Sequence, residues 1–111
     1  MEATTIKLVG KRRVNPNEIV LLRADANYTE VLLEDGEQII VSKTLKEMEK
    51  TFTAFSSFYR IHKSYMVNME HVDSVQVNGG NNEVKLKNNM NAFISRRRKD
   101  AFISQLRKRV I

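Results

Sequence analysis

The sequence contains no cysteine, which excludes a disulfide framework, a cysteine-based zinc site and a thiol nucleophile. No apolar run approaches the roughly 20 residues that a helix needs to cross a bilayer. Residues 1–20 also lack the apolar stretch of a signal peptide, so a cytoplasmic chain is expected. Histidine occurs only twice, as His62 and His71, without H-E-x-x-H or clustered carboxylates, and no metal site is expected. His62 and Ser64 fall on one side of a strand-like segment, but no acid stands ready to orient the histidine and no G-x-S-x-G elbow is present. The glycine pair Gly79-Gly80 stands in a turn between strands and opens no helix, so it is no phosphate cradle. The reading is of a protein that is not an enzyme and needs no cofactor. At 111 residues the chain is too short for a TIM barrel and fits a single domain, residues 1–111. A chain of this size buries roughly 65% of the surface its unfolded form exposes, enough to fold without a staple.

Charge is the first positive feature. Lysine and arginine number 19 against 13 aspartate and glutamate, a formal net charge of +6. Residues 1–90 are balanced, with twelve basic and twelve acidic side chains. The excess lies in residues 91–111, where Arg96, Arg97, Arg98, Lys99, Arg107, Lys108 and Arg109 face Asp100 alone. A smaller cluster, Lys7, Lys11, Arg12 and Arg13, lies near the N-terminus. Clustered cations suit a polyanion, because each neutralised phosphate releases condensed counterions.

Short β-prone runs separated by turn signals predict a mostly β fold. Strands are expected at Ile6–Val9, Glu18–Ala24, Tyr28–Leu33 and Gln38–Ser42, with Asn15-Pro16-Asn17 and Asp35-Gly36 as turns. The period then changes. Leu45, Met48 and Phe52 make one apolar stripe of a short helix capped by Ser42 or Thr44. Strands resume at Phe58–Ile61, Met66–Val67, His71–Val77, Glu83–Lys87 and Ala92–Ser95, with Asn78–Asn82 as a hairpin turn. Ser95 is expected to cap a last helix whose buried stripe is Phe102, Ile103, Leu106 and Val110. Eight or nine short strands and two helices leave no room for parallel crossovers.

The stretch Phe58–Asn68 gathers aromatics, fixed cations, a histidine, a hydroxyl and an amide. With Tyr59 and Ile61 inward, Arg60, His62 and Ser64 share the outward side. One reading is a half-buried strand with a solvated face; the other is a set of donors for phosphate oxygens and purine acceptors. The order of motifs resembles the LytTR family of bacterial DNA-binding domains. The resemblance rests on Ser42, Leu45 and Glu49 as Ser-x-x-Leu-x-x-x-Glu, on Phe58, Arg60, His62, Ser64, Val67 and Asn68 as F-x-R-x-H-x-S-x-x-V-N, and on the final Ser95-Arg96. It spans about residues 6–108.

That resemblance implies an elongated set of antiparallel sheets of short strands with a short mid-chain helix and a C-terminal helix. It also implies a sequence-specific double-stranded DNA-binding domain, typically the output domain of a two-component response regulator. Members insert loops between strands into successive major grooves, often on tandem repeat sites, and a homodimer on DNA is expected. The DNA-facing positions map onto Ala26, Asn27 and Tyr28, onto Lys63, and onto Arg97 with Arg96 and Arg98 beside it. Three arginines at a helix start oppose the macrodipole by roughly 0.3–1 kcal/mol each, a local cost that points to an anion as partner. For His62, DNA contact competes with a backbone hydrogen bond that shapes the loop. Ser64 fits either role, and Asn68 suits backbone groups at its strand end. Arg107, Lys108 and Arg109 read as a dipole-complementing helix end. A sensor kinase enters only through a phosphorylated domain absent from this chain, since such a domain needs about 120 residues itself. The alternatives are a basic β-rich single-strand or RNA module, recognised by exposed aromatics on a sheet face, and a protein-interaction domain with an acidic partner.

Overall fold

Strand β1 (Ile6–Val9) and strand β2 (Arg12–Val14) open the chain as a hairpin in the computed structural model, which describes residues 5–109. A 3-10 turn at Pro16–Glu18 leads into β3 (Ile19–Asp25), β4 (Tyr28–Leu33) and β5 (Gln38–Val41). Helix α1 (Leu45–Phe52) follows, then β6 (Phe58–His62) and β7 (Tyr65–Asn68). The chain continues through β8 (Val72–Asn78), β9 (Asn81–Leu86) and β10 (Met90–Phe93) to a 3-10 turn, Arg96–Arg98, and helix α2 (Lys99–Arg109). All pairing is antiparallel. The central sheet runs β5-β4-β3-β7-β6, flanked by the β1-β2 pair and by a sheet ordered β10-β9-β8. The molecule measures 43 × 36 × 25 Å. Among the described residues no helix is long and apolar enough to cross a membrane.

The unbroken run Ile19–Leu22 places β3 in the middle, because only a strand covered on both faces can bury four successive apolar side chains. Ile19 and Leu22 join Val31, Leu33 and the α1 stripe of Leu45, Met48 and Phe52 in one core. Val20 and Leu21 join Ile61, Val67, Val84, Leu86 and Phe102 in a second. The central sheet thus separates two cores, and the second core fastens the three-stranded sheet and α2 to it. Thr44 is the cap of α1: its hydroxyl accepts the Glu47 amide at 3.2 Å while Glu47 accepts the Thr44 amide at 3.0 Å. Asn68 behaves as a strand-end residue. Its Nδ2 donates to the carbonyls of Pro16 and Ile19, and its Oδ1 accepts the amide of Glu70.

Several boundaries differ from the periodicity. Strand β2 carries no periodic signal; Gly10, at φ +57, closes a hairpin where the sequence suggests one strand followed by a loop. The hairpin at 78–82 is tighter than expected, with Asn78 paired to Asn81 around Gly79-Gly80. The last strand begins at Met90 rather than Ala92 and ends at Phe93, because Asn88 and Asn89 turn the chain with positive φ just before it. Ser95 precedes the arginine turn, but its side chain caps nothing and its Oγ is buried without a partner. In the α2 stripe Phe102 is buried and Ile103 and Leu106 are half-buried, while Val110 lies outside the described residues.

Candidate nucleic-acid interface

Antiparallel pairing decides which turns share an end of the central sheet. Strand β3 ends and β4 begins at the Asp25–Tyr28 turn, and β6 ends and β7 begins at the His62–Tyr65 turn. Since β3 pairs with both β4 and β7, the two turns lie side by side, tied by the Ala24 amide donating to the Ser64 carbonyl at 2.9 Å. The arginine turn joins them. The Ser95 amide donates to the Ile61 carbonyl at 2.8 Å, and Arg98 Nη1 reaches the Arg60 carbonyl at 3.5 Å. One edge of the molecule therefore presents Asn27, Tyr28, His62, Lys63, Ser64, Arg96, Arg97 and Arg98, which are three remote segments of sequence. Lys63, Arg96, Arg97, Asn27 and Tyr28 are exposed, whereas His62, Ser64 and Arg98 are half-buried.

The tip of the first turn is strained. Ala26 sits at φ +53, a left-handed conformation that costs a residue with a Cβ about 1–2 kcal/mol. In return Asn27 and Tyr28 project at the head of β4, and Tyr28 keeps 50% of its surface exposed.

Arg60 does not share the free outward side that alternation assigned to it. A register shift between Arg60 and His62 breaks the period of two. Its guanidinium turns along the loop: Nε donates to the His62 carbonyl at 2.8 Å, Nη2 to the Lys63 carbonyl at 2.7 Å, and Nη1 pairs with Glu49 of α1 at 2.7 Å. Arg60 is a brace that holds the turn carrying Lys63. The Ser-x-x-Leu-x-x-x-Glu helix and the F-x-R phrase meet through this ion pair and through Phe58, whose ring lies 4.8 Å from that of Phe52 on α1.

His62 has a comparable double use. Its Nδ1 accepts the Ser64 amide at 3.0 Å, so the neutral ring carries its proton on Nε2, which is left to donate outward. Partial burial, then the charges of Lys63, Arg60 and Arg98, hold its pKa below the ordinary 6.5. A depressed histidine pKa means that the unfolded chain binds a proton more readily than the folded one. The stability that the neutral ring supports is complete above pH 6.5 and is lost as pH falls below it. We predict that His62→Asn, which keeps an acceptor near the Nδ1 position, removes part of the loss of thermal stability expected between about pH 7 and pH 5. A melting-temperature profile that stays parallel to wild type would refute this.

The exposed cations of the edge stand outside the ion pairs of the fold. Four ion pairs form among the described residues: Arg12–Glu37, Arg23–Glu30, Arg60–Glu49 and Arg109–Glu70. Lys63, Arg96 and Arg97 belong to none of them. The N-terminal cluster is partly neutralised elsewhere, because Arg12 makes a bidentate contact with Glu37 and Arg13 bonds to Thr5. At the end of α2, Arg109 is engaged by Glu70, while Arg107 and Lys108 remain exposed.

Periodicity alone did not single out Tyr65 and Phe93. Their rings lie 6.2 Å apart and continue to His62 at 5.7 Å, forming an aromatic row beside the cations. Phe93 is 52% exposed although it stands in a strand, and its place just before the Ser95-Arg96 run was the signal available in the sequence.

The family model described as the LytTr DNA-binding domain matches residues 10–107. Among solved structures, the LytTr DNA-binding domain of a methyl-accepting/DNA response regulator from Bacillus cereus superposes with a TM-score of 0.76 at 22% identity, covering 93% of this chain and 94% of that one. No curated protein matches the chain by sequence.

Proposed function

The chain belongs to the LytTr DNA-binding domain family, and on that premise we propose that it reads double-stranded DNA by sequence as the output unit of a bacterial transcriptional regulator. The observation that carries the reading is the edge on which Lys63, Arg96 and Arg97 meet without a carboxylate partner among the described residues. Unpaired cations at the start of a helix are unfavourable until an anion arrives, and a phosphate backbone supplies one. Arg97 has the free fork needed for the O6 and N7 acceptors of guanine in a major groove. Lys63, on its braced turn, and Arg96 anchor phosphates; Asn27, Tyr28, Ser64 and the Nε2–H of His62 supply shorter-range donors. Arg60 acts by positioning Lys63, and Arg98 by fastening the arginine turn to β6.

The reading extends to a cytoplasmic response regulator in a two-component system, binding tandem repeats as a homodimer and coupled to its kinase through another domain. The Bacillus cereus domain of the same fold comes from a response regulator, which supports this extension. The test is salt dependence. With about five phosphates neutralised, the logarithm of the association constant falls with the logarithm of salt concentration at a slope of about −4 to −5. Competition between duplex and single-stranded oligonucleotides, read by fluorescence anisotropy, then separates duplex recognition from base stacking on Tyr28 and Phe93. A salt-insensitive interaction, or a preference for the single strand, would remove the proposal.

A further inference from the structure

The β8–β9 turn belongs to neither the motifs nor the three mapped positions, yet it lies at the same edge. The Ile94 amide donates to the Asn82 carbonyl at 3.0 Å, which sets the start of β9 beside the chain as it enters the arginine turn. A Cβ built on Gly80 would stand 3.9 Å from Nη2 of Arg96. The turn itself is Asn78-Gly79-Gly80-Asn81, all exposed and uncharged.

Its two glycines have different reasons to be there. Gly79 holds φ +56, the left-handed first position of a two-residue hairpin loop, and the backbone requires it. Gly80 has no such φ, and an added methyl group would meet only the far end of Arg96 at ordinary contact distance. The fold therefore does not demand a bare backbone at residue 80. A bare backbone there has two consequences: Arg96 stays uncovered, and a second backbone can come close.

We propose that the β8–β9 turn is a fourth contact element of the DNA face, lying against the sugar–phosphate backbone beside Arg96. The exposed amides of Asn78 and Asn81, with the N–H groups of the loop, donate to phosphate oxygens, and Arg96 supplies the charge. The nearby carboxylates are Glu83, half-buried in β9, and Asp100 at the start of α2, so no acid occupies the turn itself. The inference rests on the DNA-binding reading above and deepens it by adding a surface that the motifs do not mark.

The test uses Gly80, which can be changed without straining the hairpin. Gly80→Ala adds bulk but no charge, so it should leave the salt slope at the wild-type value and weaken binding less than Gly80→Glu does. On a mixed-sequence duplex, Gly80→Glu puts a carboxylate beside Arg96. It should weaken binding roughly tenfold at low salt and flatten the log–log salt slope by about 1, whereas Gly80→Lys should steepen the slope by about 1. Melting temperatures establish that each variant is folded, and Gly80→Lys serves if Gly80→Glu is not. Arg97→Ala is measured alongside. If it loses affinity while both charged Gly80 variants keep the wild-type slope, the turn stands away from DNA and this inference fails while the DNA-binding reading stands. If the wild-type chain does not retain duplex DNA at low salt, both fall.

Discussion

Replacing Arg97 by alanine is expected to cost about 1–3 kcal/mol on the preferred duplex, roughly a fivefold to 150-fold loss, and to relax preference at one base pair. The size follows from how the side chain is held. Arg97 is exposed, has no ion-pair partner among the described residues, and sits in a turn whose backbone is fixed at both sides. The Ser95 amide bonds to Ile61, and the Arg98 amide closes the turn on the Ser95 carbonyl at 3.0 Å. Truncation removes a fork of donors without touching the fold, so the loss registers as binding alone. On mixed-sequence DNA the same variant forfeits only the Coulombic share. Lys63→Ala, in contrast, should weaken both duplexes to a similar degree, because a contact to phosphate carries no sequence information. A duplex obtained by selection from a random pool, compared with a scrambled one by anisotropy at fixed salt, checks both variants. Equal losses for Arg97→Ala on the two duplexes would end its role as a base reader.

The fold was legible where one residue pattern had one structural solution. The run Ile19–Leu22, short and bounded by turn signals, matches a strand covered on both faces, and the spacing of Leu45, Met48 and Phe52 matches a helix stripe. The motif phrase with Ser95-Arg96 named His62, Lys63 and the arginines as candidates before any pairing was known, and the pairing brings these segments to one end of the central sheet. What the sequence left open depends on pairing and side-chain direction. Alternation put Arg60 outward with His62 and Ser64, but the register shift in β6 and the reach of a long guanidinium to Glu49 turned it into a brace. Ser95 looked like a cap from its position before the helix, whereas the intervening arginine turn separates it from α2. The β8–β9 turn carries no charge, and only the pairing of β9 with β10 brings it to Arg96.

Phe102→Ala should cost about 3–5 kcal/mol of stability, lowering the melting temperature by roughly 12–20 °C. Phe102 is fully buried, and its ring lies 5.7 Å from that of Tyr59 on β6. It is the anchor of α2 in the core that Ile61, Val84, Ala92 and Ile94 share, and α2 begins directly after the arginine turn. The cavity left by truncation thus opens under the element that presents Arg96 and Arg97. Phe52 gives the comparison, since it is equally buried but lies in the core on the other side of the central sheet. Phe52→Ala should destabilise by a similar amount, yet leave the arginine turn seated on β6. Urea unfolding measures the two costs. DNA affinity is then compared well below both melting temperatures, where each variant is folded. Weakened binding for Phe102→Ala but not for Phe52→Ala is expected, because only the first loosens the attachment of α2 to β6. Equal affinities would mean that Ser95 and Arg98 hold the turn without help from the helix behind it.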